Sequence, residues 1–257
     1  MTGENARPYY EQASLWDHVD REDQERIEMM AQMVPGDVET VADLGCGSGL
    51  FVAEIGKTRR AVGLDWSLEA LKRFTGAAVA GDIGETPFRD GTFDLVTCSE
   101  VLEHLPVDDF QNAIQEITRL TKRWLLITVP YEEVLEAGFS RCADCGCVYH
   151  AHRHVRSFSA DTLASLFPGF QIVRWKPFGR VEWIGRLEAG IWHTIGGHWV
   201  ATETGRCPQC GSQKKMTPDR GPRDLLGLAL ARAIRVFHAP EKPRWLLALL
   251  KREPSVS

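Results

Sequence analysis

Between residues 9 and 34 apolar positions fall at helical spacing, with Leu15, Trp16, Val19, Ile27, Met30 and Val34 set among many charges before Pro35-Gly36 halts the run. This predicts helices that lead into a domain and cover its ligand. From residue 41 the pattern changes. Short apolar runs now alternate with segments of helical period: VADLG then SGLFVAEIGK, RAVGLD then SLEALKRFT, a short AAVAGD, FDLVTCSE then DDFQNAIQEITRLTK, and WLLITVP then, after a gap, SADTLASLF. Strands separated by helices need crossovers, and crossovers lay helices on both faces of a parallel sheet. FQIVRWKPF reads as a sixth strand and RWLLALLKRE, residues 244–253, as a seventh. The expected fold class is α/β and doubly wound.

Composition adds a size limit. With 257 residues and 44% hydrophobic content, the chain buries one full core and has material left for an insertion. The pattern divides it into a helical lead-in at 1–40, a core at 41–179 with 243–254, and an insertion at 180–242. No apolar run approaches the ~20 residues that span a bilayer, and the first residues lack a basic segment followed by an apolar stretch, so the expected compartment is the cytoplasm. The formal charge is −5, while residues 219–253 hold eight Lys/Arg against four Asp/Glu. The acidic remainder argues against a general nucleic-acid binder. Within the basic stretch, 223–238 is amphipathic with Arg223, Arg232 and Arg235; it is too short to cross a bilayer but able to rest on one, meet an anionic substrate or pack on the core.

Seven cysteines in a reducing compartment point to thiols or metal ligands. Cys142-x-x-Cys145-Gly has a counterpart in Cys207-x-x-Cys210-Gly. The spacing lets two thiolates face one ion, and the glycine permits a tight turn that aims backbone N–H groups at sulfur. Two such knuckles, the first at 141–147, predict a structural four-thiolate zinc site, with Cys147 left over or an alternate ligand. Cys46 and Cys98 read as small core residues. In the insertion, Trp183, Trp192 and Trp199 line a substrate pocket or form the small core of a lid.

DLGCGSG, residues 43–49, stands where the first strand must turn into the first helix, and its glycines let a ligand approach the backbone. It departs from the dinucleotide fingerprint, whose third glycine would fall on Leu50. This loop, Asp65 in VGLDWS, Asp82 in AGDI and the stretch TPFRDGTFDLVTCSEVLEHL together resemble the class I S-adenosylmethionine-dependent methyltransferase family over about residues 35–135. The resemblance implies a Rossmann-like seven-stranded sheet with an antiparallel last strand, to which this chain adds a zinc-ribbon-like insertion near the active site. It implies S-adenosylmethionine as cofactor, held by Asp43, Gly45, Gly47, Gly49, Asp65, Trp66, Asp82, Ile83, Ser99 and Glu100. In that reading Asp65 takes the ribose hydroxyls, Trp66 and Ile83 flank adenine, and Asp82 takes its amine. The competing roles are a helix cap or turn for the two aspartates and packing for Trp66.

Methyl transfer from a sulfonium needs an aligned acceptor, exclusion of water and, for a hydroxyl, a base. Base candidates are His154, beside the first knuckle, and His104. E-x-x-E-H, Glu100 to His104, is also similar to a stretch that binds a divalent cation in ubiquinone-pathway and small-RNA 2′-O-methyltransferases. That implies a second cation at Glu100, Glu103 and His104, with His150, His152 or His154 as a further ligand. The expected function is O-methylation of a small molecule such as a sugar or specialised metabolite. The alternatives are 2′-O-methylation of an RNA terminus and a non-catalytic, cofactor-binding zinc scaffold.

Overall fold

A computed structural model of the chain describes residues 7–17, 19–182, 185–195, 197, 199–214, 221, 225–227, 229–231, 233 and 242–254. The alternating runs form strands β1 (Thr40–Leu44), β2 (Arg60–Asp65), β3 (Ala78–Ala80), β4 (Phe93–Ser99), β5 (Thr121–Pro130), β8 (Phe170–Glu182) and β9 (Lys242–Arg252). They make one sheet in the order β3-β2-β1-β4-β5-β9-β8. β1 to β5 are parallel, whereas β9 runs antiparallel to β5, with Leu126 opposite Leu249 and Pro130 opposite Trp245. The seventh strand therefore lies where the apolar run at 244–253 predicts it.

Period-two alternation sorts the central strands onto two faces. Leu125, Ile127 and Val129 of β5 join Leu246, Ala248 and Leu250 of β9 in one core cluster; Leu126 joins Trp245, Leu247 and Leu249 in the other. Burial on both faces explains why these strands read as unbroken apolar runs. The helices that cover them are α2 (Arg21–Met33), α3 (Leu50–Ile55), α5 (Val107–Leu120) and α6 (Ala160–Leu166). Capping boxes start α2, at Asp20 with Asp23, and α6, at Ser159 with Thr162. The lead-in begins with the single turn α1 (Arg7–Tyr10), and SLEALKRFT yields only the short α4 (Leu68–Leu71). α5 ends two residues before the predicted helix does, because Thr121 already pairs with Phe93 in the sheet.

The chain divides into two compact units. The first comprises Met1–Tyr131, Phe158–Gly179 and Trp245–Ser257; the second comprises Glu132–Ser157 and Arg180–Arg244. The sequence pattern puts the first knuckle with the core, yet its segment groups with 180–244. The physical reason lies in the thiol cluster described below, which ties the two knuckles to each other. The second unit also contains a hairpin that the periodicity does not reveal, β6 (Phe139–Arg141) with β7 (Val148–His150), and helix α7 (Arg186–Thr194). Trp183 and the arginines of 223–238 lie outside the described residues.

Candidate functional site

In an open α/β sheet ligands bind at the carboxyl ends of the strands, where the order reverses. Here β1 lies between β2 and β4, so the loop after β1 and the segment after β4 meet at that point. They border a cleft of about 670 Å³, counting its part open to solvent, lined among others by Gly45, Asp65, Trp66, Asp82, Ile83, Glu100 and His104. Gly45, Gly47 and Gly49 all have left-handed backbones. At Gly45 a Cβ would come within 2.3 Å of Val101 and at Gly47 within 2.7 Å of the Trp16 ring, so side chains are excluded from a surface that ligand can approach.

Asp65 orders this surface. Its carboxylate accepts from the Gly47 N–H at 2.7 Å and the Ser67 N–H at 2.8 Å, joining the glycine loop to the turn after β2. Burial pushes its pKa up, against the hydrogen bonds from Ser67, Gly47 and Trp66. Thus Asp65 has the turn-capping role, and a carboxylate with about four acceptor positions retains capacity for further donors. Asp82 similarly accepts from the Gly84 N–H at 2.7 Å. Asp43 is buried in the sheet and accepts from Thr97 Oγ1 at 2.6 Å. Burial is the main cause that raises its pKa to about 6, with Thr97 working against it and Asp65 with it.

Glu100, in a left-handed conformation at φ 56°, commits its oxygens to Trp245 Nε1 at 2.6 Å and Thr128 Oγ1 at 3.2 Å. Ser99 Oγ meets Arg26 and Thr128, each at 2.7 Å. Both residues therefore brace the end of β4 against neighbouring elements. Glu103 is fully buried, and His104 Nε2 lies 3.8 Å from its Oε1. Glu100 thus gives one oxygen to Trp245 and the other to Thr128, beside the Glu103–His104 pair with which the sequence groups it.

Trp16, one of the apolar points of the lead-in, also lines the cleft, together with Tyr10 and Asp109, which no sequence motif marks. The lead-in is anchored there by Glu11, whose carboxylate accepts from the N–H groups of Leu68 and Glu69, and by Ser67, which donates to Tyr10 O at 3.0 Å. The signal for Tyr10 and Trp16 was aromatic residues in a charged lead-in; only tertiary contact gives them a place.

In the second unit the four sulfurs of Cys142, Cys145, Cys207 and Cys210 lie within 4.8 Å of one another, with the Cys142–Cys210 pair at 3.6 Å and Cys145–Cys207 at 3.5 Å. Zn–S bonds of about 2.3 Å in a tetrahedron set sulfur–sulfur edges of about 3.8 Å, so these distances fit zinc. The knuckles share one geometry. In each the glycine N–H donates to the first cysteine's carbonyl, Gly146 to Cys142 and Gly211 to Cys207, both at 3.0 Å, with φ of 73° and 74°. Burial opposes the Cys207 thiolate, but the N–H groups of Cys210 and Gln209 and the neighbouring thiols bring its pKa down to about 6.

The second unit also gathers three histidines around Glu133. His154 Nδ1 lies 2.6 Å from Glu133 Oε2, and His150 Nε2 lies 3.3 Å from Oε1. The two imidazoles stack with centroids 4.6 Å apart. Burial by itself would raise the Glu133 pKa, but its hydrogen bonds to His150 and His154 hold it well below the usual carboxylate range. Burial, then the neighbouring His154 and His150, lowers His152 to about 4. His154 thus stands in a polar cluster of the second unit, and His104 stands in the cleft of the first.

Comparison with known proteins accords with this architecture. Residues 42–124 match the methyltransferase domain family. An uncharacterized protein of Methanocaldococcus jannaschii is 42% identical over 138 residues, 52% of this chain and 55% of the relative. A demethylmenaquinone methyltransferase of Lactiplantibacillus plantarum is 36% identical over 112 residues, 38% of this chain and 46% of the relative. The chain thus spans about half the length of the curated relatives it matches. A solved SAM-dependent methyltransferase from Archaeoglobus fulgidus superposes with a TM-score of 0.55 at 15% identity, covering 96% of this chain and 97% of that one, which establishes likeness of fold. Glycine loop, strand order, antiparallel last strand and domain match converge: residues 42–124 are a methyltransferase domain, set in a sheet with the fold of S-adenosylmethionine-dependent methyltransferases.

Proposed function

We propose that this chain binds S-adenosylmethionine in the cleft of the first unit and transfers its methyl group to oxygen on a small molecule, such as a sugar or other specialised metabolite. Zinc crosslinks the second unit through Cys142, Cys145, Cys207 and Cys210. The sign of charge in the cleft carries the cofactor reading. Asp65, Asp82, Glu100 and Asp109 line it, and no Lys or Arg appears among its described lining residues. Such a surface favours a cationic sulfonium and repels a pyrophosphate, which would want cations or an uncluttered helix N-terminus. When bound, S-adenosylmethionine supplies an electrophilic methyl group. The chain's own residues supply the rest: the glycine loop admits the ligand, Asp65 holds that loop in shape, and Tyr10 and Trp16 wall off water on the lead-in side.

For the acceptor, oxygen is favoured because the chain offers two histidines able to take a hydroxyl proton, His154 with Nδ1 held by Glu133 and His104 in the cleft. The test is calorimetry on the zinc-loaded protein. S-adenosylmethionine should bind, and Asp65→Ala should weaken it by about tenfold or more, since one hydrogen bond to a charged group contributes about 1.5–3 kcal/mol. Binding of NAD without binding of S-adenosylmethionine would overturn the cofactor reading. With a hydroxyl acceptor identified, His154→Ala should lower turnover by about 10²- to 10⁴-fold at unchanged cofactor affinity. Wild-type turnover in that variant would leave His104 as the base.

A further inference from the structure

The hydrogen bonds around His150 fix where protons reside in the cluster it forms with Glu133 and His154. The backbone N–H groups of His154 and His152 both point at His150 Nδ1, at 3.1 and 3.3 Å. A backbone amide only donates, so Nδ1 must present its lone pair. A neutral His150 then carries its proton on Nε2, the atom 3.3 Å from Glu133 Oε1. An ionised carboxylate only accepts, so it also requires a donor from the other ring: the Nδ1 of His154, 2.6 Å from Oε2, carries that ring's proton. Neutral His154 is thereby left with its lone pair on Nε2. The same bookkeeping disfavours a cation at Glu133, His150 and His154, because His150 Nε2 would have to coordinate with a lone pair it lacks.

We propose that Glu133 is the positioning residue for His154: its carboxylate, 2.6 Å from His154 Nδ1 and 3.3 Å from the Nε2 of His150, holds His154 in the Nδ1–H tautomer and turns Nε2 into the proton-accepting atom. His150 is the buttress. It cannot exchange tautomers without breaking both backbone hydrogen bonds at Nδ1, and it stacks on the His154 ring at a 17° interplanar angle. Glu133 thus faces one donor that cannot change and one that can. Its catalytic meaning rests on the reading of His154 as the base, but the tautomer is a property of the second unit and can be measured without cofactor or acceptor.

Glu133→Gln separates this from a merely structural role. A carboxamide offers one acceptor and one donor where the carboxylate offers two acceptors. Because His150 must keep its Nε2–H, the Gln oxygen goes to His150 and the Gln amide faces His154 Nδ1, which has to become an acceptor. Long-range ¹H–¹⁵N spectra of the imidazole rings of zinc-loaded, cofactor-free protein, recorded at a pH where both rings are neutral, read this directly. In wild type the protonated nitrogen should be Nε2 in His150 and Nδ1 in His154. In Glu133→Gln the His154 proton should move to Nε2 while His150 stays unchanged. Glu133→Asp, which keeps two acceptor oxygens, should retain the Nδ1–H tautomer and covers the case in which the amide variant does not fold. A wild-type His154 protonated on Nε2, an unmoved tautomer in folded Glu133→Gln, or a flipped one in Glu133→Asp would overturn the proposal. Failure of S-adenosylmethionine to bind would instead sink the functional reading and leave these spectra as they are.

Discussion

The two compact units are held together by different physics. In the first, two large clusters of buried apolar side chains sandwich the sheet, and fully buried residues such as Leu95, Leu125, Leu126 and Ile127 carry it. In the second, the hydrophobic cluster found among the described residues comprises Cys142, Tyr149 and Cys207, with Cys147 packed beside it, and two of its three buried members are thiols of the sulfur cluster. The other buried residues described there are small or polar: Ala151, Ala189 and Ala231 beside Ser140, His150, Arg153 and Glu188. The described residues of this unit bury few large apolar side chains, and a structural metal at the thiol cluster would supply a crosslink in their place. The lesson is that the first unit is stabilised by patterned burial, whereas the described part of the second is organised around a thiol cluster and hydrogen bonds, for which we propose zinc ligation.

The largest expected break in this contrast is loss of the crosslink. Structural zinc contributes apparent free energies of about 10–16 kcal/mol in small zinc domains. A Cys207→Ser, Cys210→Ser double variant should carry no zinc by metal analysis. Its amides at 139–150 should lose hydrogen-exchange protection while those of β4 and β5 keep theirs. Full zinc retention, or a simultaneous loss of protection in β5, would contradict the division of labour.

The converse experiment attacks the sheet. Leu126 is fully buried between β4 and β9, opposite Thr97 and Leu249. Leu126→Ala should cost about 2–5 kcal/mol in unfolding free energy by leaving a cavity. Zinc content should remain that of wild type.

A pH test sharpens the same comparison from within the sheet. Asp43 has a native pKa of about 6 against 3.8 for the ordinary group. Between those values the native state holds a proton that the unfolded state has released. The contribution of Asp43 to stability is therefore complete below about pH 4 and is lost as pH rises through 6. A shift of about two units corresponds to at most about 3 kcal/mol. Asp43→Asn can still accept from Thr97 but cannot ionise, so its stability relative to wild type should improve between pH 4 and pH 7. Urea unfolding across that range checks it; a flat difference would show that Asp43 does not titrate there.

Smallest of all should be the effect of Cys147→Ser. The Cys147 thiol lies at the edge of the cluster and donates to Val148 O at 3.7 Å. The variant should keep its zinc and shift the melting temperature far less than Cys207→Ser does. Zinc loss in this variant would make Cys147 a ligand.

Much of the first unit was legible because each of its signals is local. Short apolar runs of strand length mark β1, β4, β5 and β9, and a glycine loop between strand and helix marks the cleft. The cysteine pairs were equally plain, since C-x-x-C-G states its own spacing. What the periodicity missed, the β6–β7 hairpin and helix α7, consists of two strands of three residues and a helix of nine, too short for a period to register. Glu133 carries no motif at all, and its role emerges only when two histidines more than fifteen residues away close on it.

The sequence by itself determined the α/β class, the position of the last strand, the glycine loop and the ligand types of the thiol cluster. Each is encoded by residues close in the chain, where backbone geometry and side-chain period leave few choices. Tertiary structure decided the rest: that Asp65 and Glu100 spend their oxygens on Gly47, Ser67, Trp245 and Thr128, that Tyr10 and Trp16 wall the cleft, and that His150 and His154 share one carboxylate. These are hydrogen-bond and packing choices between segments distant in sequence. A carboxylate's partners are set by which donors the fold brings within about 3 Å, and no local pattern specifies that.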